Sequence, residues 1–166
     1  MEVRSVEAIV KALNEAGVQY LIVGGLAVAA HGYERFTQDV DLVIGLEPDN
    51  IINGLCALGR IGYQMTIPVT PEDFADPANR EAWRREKNMI VLKLWSDAHR
   101  RTPVDVFVYE PFDFPSEHAA AKWEIVLGDV RAPVVSYKTL LAMKAQAGRD
   151  RDLLDIKSLR KLDPYR

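Results

Sequence analysis

Two aspartates two positions apart, Asp39 and Asp41, lead into the apolar run Val40 to Ile44, and a third, Asp105, interrupts the run Val104 to Val108. On a strand, residues i and i+2 project from one face, so Asp39 and Asp41 can share a divalent cation while Val40 turns to the core. Asp105 stands among Val104, Val106, Phe107 and Val108, which read as a fully buried strand, where an unpaired carboxylate is costly. A hard cation held by carboxylate oxygens offsets that cost, and magnesium favours a few carboxylates together with water and phosphate oxygens. A lone Asp-x-Asp is more often a solvated strand end; three acids on converging strands favour a metal site.

Gly24-Gly25 closes the apolar run Tyr20 to Val23. Glycines at a strand-to-helix turn let backbone N–H groups approach a phosphate, and a helix N-terminus adds partial positive charge. By itself a glycine pair marks only a turn. Arg35 and Thr37, just before the acidic pair, are candidate phosphate contacts, although loop arginines are commonly solvated. His31 reads as a partner of a helix C-terminus, with no cysteine or second histidine at metal spacing to recruit it.

The elements that must position these residues follow from periodicity. Val3, Val6, Ile9, Val10 and Leu13 recur at helical spacing, predicting a helix over 3–16, followed by a buried strand Tyr20 to Val23. The alanine-rich stretch Leu26 to His31 suits a short helix closed by Gly32, and Val40 to Ile44 reads as the next strand. Pro48 opens a helix that ends near Gly59. Pro68 to Asn79, with three prolines and three acidic residues, reads as a long surface loop. Met89 to Trp95 and Val104 to Val108 read as an antiparallel pair, and Trp123 to Leu127 with Val130 to Val135 as another, turning at Gly128-Asp129. Ser136 caps a helix to about Gln146, and a last helix starts near Asp150. Arg80, Arg84, Arg85, Lys87, Arg100 and Arg101, with Trp83 and Trp95, could guide RNA by charge and stacking. A charged edge that discourages sheet pairing is the simpler reading.

With 48% hydrophobic and 27% charged residues, the chain has the composition of a globular protein and not of a disordered or fibrous one. Its 166 residues are expected to form one domain. Twenty-four acidic against 21 basic side chains, a net charge of −3, exclude a globally basic nucleic-acid trap. The lone cysteine, Cys56, can form neither an internal disulfide nor a cysteine metal site, which suits a reducing cytoplasm. Met1-Glu2-Val3-Arg4 runs straight into an amphipathic pattern, so no signal peptide is expected. The longest apolar run, Tyr20 to Ala30, falls well short of the roughly 20 residues a spanning helix needs, so no membrane role is expected.

Taken together, Gly24-Gly25, Asp39-Val40-Asp41 and Asp105 resemble the nucleotidyltransferase superfamily typified by DNA polymerase beta. The resemblance implies an α/β (α+β) fold: a mixed sheet with helices on one side and C-terminal helices covering the nucleotide site. It implies a glycine-rich turn that holds nucleotide phosphates, and carboxylates Asp39, Asp41 and Asp105 that bind two magnesium ions. Gly25 stands where a serine is usual, which places that phosphate contact on the backbone alone. A second block, Leu141-Ala-Met-Lys144 through Arg149, Asp152 and Asp155, resembles the signature of AbiEii-type, MenT-like toxins. In that resemblance Lys144 contacts nucleotide phosphates, while Arg149 and Asp152 complete or brace the pocket. Lys144 as a solvated helix lysine, and Asp152 and Asp155 as carboxylates complementing a helix dipole, remain structural alternatives. The implied activity is transfer of a nucleotidyl group from a nucleoside triphosphate to an acceptor hydroxyl, on RNA or tRNA, with a cognate antitoxin as partner. Two alternatives stand beside it: a small-molecule (antibiotic) nucleotidyltransferase, and a catalytically silent binding module of the same fold.

Overall fold

The computed structural model describes residues 1–163. In chain order the elements are α1 (Val3–Glu15), β1 (Tyr20–Val23), α2 (Gly24–Ala30), β2 (Val40–Ile44), α3 (Pro48–Arg60), β3 (Gln64–Met65), α4 (Pro71–Ala75) and α5 (Pro77–Lys87). They continue as β4 (Val91–Trp95), β5 (Val104–Phe107), α6 (Phe114–Ala120), β6 (Lys122–Leu127), β7 (Val130–Val134), α7 (Tyr137–Ala147) and α8 (Asp150–Leu162). The strands form one mixed sheet in the order β3-β4-β5-β2-β1-β7-β6. β2 runs parallel to β5 and β1 to β7, while β1–β2, β3–β4, β4–β5 and β6–β7 are antiparallel.

Alternation along the central strands decides which face is core. Val40, Leu42, Val104, Val106, Leu92 and Leu94 are all buried, so the residues between them turn to the opposite face. α1 and α3 pack beside the core: Tyr20 Oη donates to Asn14 on α1 at 3.0 Å, and Gly54 on α3 fits against Ile44 and Val18 with no room to spare. β5 is therefore not the fully buried strand that its apolar residues suggest. Asp105 and Phe107 occupy its half-exposed face while Val104 and Val106 are buried.

The stretch Pro68 to Asn79 is not a long loop. Thr70 and Asp73 form a reciprocal capping box at the start of α4, and Asp76 caps α5 by accepting from Ala78 N–H. Pro71 and Pro77 sit in the first helical turn, where a missing N–H costs nothing, so prolines that read as breakers are starters. Phe74 is buried and packs against Trp83, which anchors both helices. Arg80, Arg84, Arg85 and Lys87 thus belong to helix α5 and not to a sheet edge. Arg80 is itself buried, donating to the Phe74 carbonyl, and the Arg84 guanidinium lies 3.8 Å from the centre of the Tyr109 ring. At the other end, Ser136 caps α7 by accepting from Thr139 N–H, and Gly148 closes it at φ +63°. Among the described residues, no helix is long and apolar enough to cross a membrane.

Candidate active site

Pairing between β2 and β5 places Val40 opposite Val104, Asp41 opposite Asp105 and Leu42 opposite Val106. Because the valines and leucine are buried on one face, Asp41 and Asp105 emerge side by side on the other. Asp39 joins them from the residues just before β2. On the far side of β5, Lys93 of β4 stands opposite Asp105. Its Nζ lies 2.9 Å from Asp105 Oδ1 and 3.7 Å from Asp39 Oδ1. The shorter contact is an ion pair, and the Lys93 ammonium is what compensates the buried Asp105 Oδ1.

Burial raises the Asp41 pKa to about 7, and the charges of Asp105 and Asp39 push it the same way. The Gly25 backbone N–H, bonded to its carboxylate, and the Lys144 charge oppose the shift. Burial also raises the Asp105 pKa, with Lys93 offsetting part of the effect. For Lys93, burial favours the neutral amine, but Asp105, Asp39 and Asp41 outweigh it and the net shift is upward.

The glycine pair is built around these acids. Gly24 takes φ +63°, and a Cβ there would fall 2.0 Å from Asp41 Oδ2. A Cβ on Gly25 would fall 2.3 Å from Thr37 Oγ1 and 3.3 Å from an Arg35 terminal nitrogen. Thr37 thus fills the space a serine side chain would need, which explains glycine at position 25.

Beside the acids runs a chain of alternating charges. Arg35 grips Asp155 with two bonds, Nε to Oδ1 at 2.7 Å and Nη2 to Oδ2 at 2.9 Å. Lys144 Nζ lies 2.7 Å from Asp155 Oδ2 and 2.9 Å from Asp152 Oδ1, and Arg149 Nε donates to Asp152 Oδ2 at 2.6 Å. Lys144, Asp152 and Asp155 are buried; only Arg149 is largely exposed. Burial alone would raise the Asp152 pKa, but Arg149 and Lys144 together bring it below the usual carboxylate range. Arg35 and Arg151 also both donate to the Phe36 carbonyl. His31, at the end of α2, donates from Nε2 to the Val135 carbonyl at 2.8 Å.

The structure therefore brings Asp39, Asp41, Asp105, Gly24 and Gly25 together, with Thr37 packed on the glycine turn. Arg35, Lys144, Arg149 and Asp152 form a flanking network, and Lys144 is no solvated helix lysine. Asp155 is braced by two cations and lies beyond the first turn of α8. Lys93 is the residue sequence reasoning missed. Its one signal is a lysine between two leucines in a strand, facing the same side as the acids.

A hard cation suits the chemistry of the donor set, since Asp39, Asp41 and Asp105 offer only carboxylate oxygens. As placed, no group of three or more His, Cys, Asp or Glu side chains among the described residues is arranged to hold a metal ion.

No family model and no curated protein matches the chain. Solved structures do. The lincomycin-bound lincosamide antibiotic adenylyltransferase LnuA is 15% identical over 96% of this chain and 97% of its own, with a TM-score of 0.57. An antigenic nucleotidyltransferase-like protein from Paracoccidioides brasiliensis is 20% identical over 97% and 76%, with a TM-score of 0.55. JHP933 from Helicobacter pylori is 18% identical over 95% and 64%, with a TM-score of 0.54. At these identities the likeness is one of fold, and the chain adopts the mixed α/β fold of nucleotidyltransferase-like proteins.

Proposed function

We propose that the chain transfers a nucleotidyl group from a nucleoside triphosphate to an acceptor hydroxyl, releasing pyrophosphate, at a magnesium site formed by Asp39, Asp41 and Asp105. The observation that carries this reading is the in-register juxtaposition of Asp41 and Asp105, with Asp39 beside them, on a nucleotidyltransferase-like sheet. Magnesium held there would supply the positive charge that such a transfer needs on the phosphate oxygens. Asp41 must give up its proton, retained to about pH 7, before it can ligate. Asp105, beside the half-exposed Lys93, is the candidate to ligate or to accept the acceptor's proton. The Gly24-Gly25 turn and Thr37 are assigned to the triphosphate. Lys144 and Asp152 tie α7 to α8, Asp155 ties both to Arg35, and the exposed Arg149, bound to Asp152 through Nε and Nη2, keeps Nη1 for a phosphate.

For the acceptor we favour RNA, the tRNA acceptor end in particular, as in an AbiEii-like toxin with a cognate antitoxin. The exposed cations of α5, Arg84, Arg85 and Lys87, support this reading, whereas Arg80 is buried and takes no part. A second reading, a small-molecule antibiotic acceptor, is favoured by the end-to-end match with LnuA, 96% of one chain on 97% of the other. Incubation with magnesium, each α-labelled triphosphate, and either total RNA or lincomycin separates them by the size of the labelled product. No label on either substrate, with triphosphate binding intact, returns the chain to a silent module.

A further inference from the structure

The backbone brings a fixed cation to the acids. β4 pairs with β5 so that Lys93 faces Asp105, and β5 pairs with β2 so that Asp105 faces Asp41. Leu92 and Leu94 on either side of Lys93 are buried, so the lysine has to emerge on the face that carries the carboxylates. Its Nζ is within ion-pair distance of two of the three acids, Asp105 at 2.9 Å and Asp39 at 3.7 Å. A magnesium ion ligated by Asp105 Oδ1 would stand about 2.0–2.1 Å from an oxygen that the ammonium already neutralises. Two cations around one carboxylate oxygen repel, so the ammonium competes with a metal ion for Asp105 Oδ1. Three ionised carboxylates carry −3; with Lys93 the cluster carries −2 before a nucleotide binds, which one divalent ion balances.

We propose that Lys93 takes the place of one of two metal ions, holding Asp39 and Asp105 with its ammonium so that the chain binds a single divalent cation with its nucleotide. This rests on the nucleotidyl-transfer reading. Lys93 is then a positioning residue that fixes the Asp105 carboxylate, and Asp41, which Lys93 does not pair, would be the carboxylate left to hold the single ion.

Manganese supplies a readout that is independent of turnover. The full chain, its Lys93→Met variant and its Lys93→Arg variant are each loaded with Mn2+ and a non-hydrolysable nucleoside triphosphate, and bound manganese is counted by electron paramagnetic resonance. Wild type and Lys93→Arg should hold one ion per chain with no manganese–manganese coupling. Lys93→Met should hold two, with the spin coupling of ions about 3.5–4 Å apart. The Lys93 side chain is 47% exposed, so its replacement by Met leaves the core intact. A coupled pair in wild type overturns the proposal and leaves the transfer reading standing. So does a single uncoupled ion in Lys93→Met, because something other than the lysine then excludes the second. If no protein binds manganese–nucleotide at all, the transfer reading fails first and the proposal with it.

Discussion

Gly24 and Asp41 occupy the same space: a Cβ on the glycine would lie 2.0 Å from Asp41 Oδ2. The turn at the end of β1 is therefore shaped around a carboxylate, and its φ of +63° independently requires glycine. Gly24→Ala should lower stability by at least about 1–2 kcal/mol from the backbone alone, or roughly 2–4 °C in Tm per kcal/mol for a chain of this size. It should also displace Asp41 and remove at least roughly 100-fold of any transfer activity, two decades being about 2.7 kcal/mol. Wild-type Tm and activity in Gly24→Ala would show that the turn tolerates a side chain and that Asp41 is not held there.

Thr37 and Gly25 make a second such pair. Installing the serine common in related folds should harm this chain, because its Cβ would meet Thr37 Oγ1 at 2.3 Å. Gly25→Ser is expected to lose stability by roughly 1–3 kcal/mol, the usual range for overpacking. Gly25→Ser combined with Thr37→Gly should regain most of it. Thermal melts of the two variants decide the matter, and equal losses in both would mean that Thr37 is not the obstacle.

The protonation of Asp41 gives the metal-free protein a pH signature. Its folded-state pKa, about 7, lies above that of the unfolded chain. The folded state therefore keeps a proton that the unfolded state releases, and the resulting stabilisation is full below about pH 4 and lost as pH rises through 7. Asp105 shifts in the same direction. Asp152 shifts the other way, and its contribution is lost only on acidification below the usual carboxylate range. Between pH 5 and 8, metal-free wild type should lose Tm relative to Asp41→Asn, and magnesium affinity should rise over the same interval. Parallel melting curves for the two proteins across that range would contradict the assignment.

Lys144 and Arg149 both meet Asp152, but burial separates their effects. Removing the Lys144 charge leaves Asp152 and Asp155 buried with less compensation, so Lys144→Ala should cost roughly 3–5 kcal/mol. Arg149 is 77% exposed, and Arg149→Ala should cost under about 1 kcal/mol. Urea denaturation of both variants checks the contrast. Equal costs would place the network at the surface. Any loss of triphosphate affinity in Lys144→Ala has to be read after this destabilisation is accounted for.

Much of this was legible in the chain. The strand limits Tyr20 to Val23 and Val40 to Ile44 are the observed ones, because fully apolar runs bounded by glycine or aspartate leave little choice. Spacing was enough to bring Asp39 and Asp41 together, and the polar break in an apolar run singled out Asp105. Other features were hidden for identifiable reasons. Proline and acidic residues between Pro68 and Asn79 suggested a loop, whereas the Thr70–Asp73 capping box and the Asp76 cap turn most of the same residues into helices. Lys93 was missed because its role depends on register: the polar break between Leu92 and Leu94 sets its face, but only the pairing of β4 with β5 shows that position 93 faces position 105. The partners of Arg35 and Lys144 were equally out of reach, since Arg35 meets Asp155 across 120 positions of sequence.

The central claim is tested most directly by following the phosphate that moves. With magnesium, acceptor and a nucleoside triphosphate labelled at the α position, wild type should move label onto the acceptor; with label at the γ position it should release it in pyrophosphate. Asp41→Asn and Asp105→Asn, folded by circular dichroism, should do neither. Label reaching the acceptor from the γ position, or full α-transfer by either variant, would contradict nucleotidyl transfer at this site.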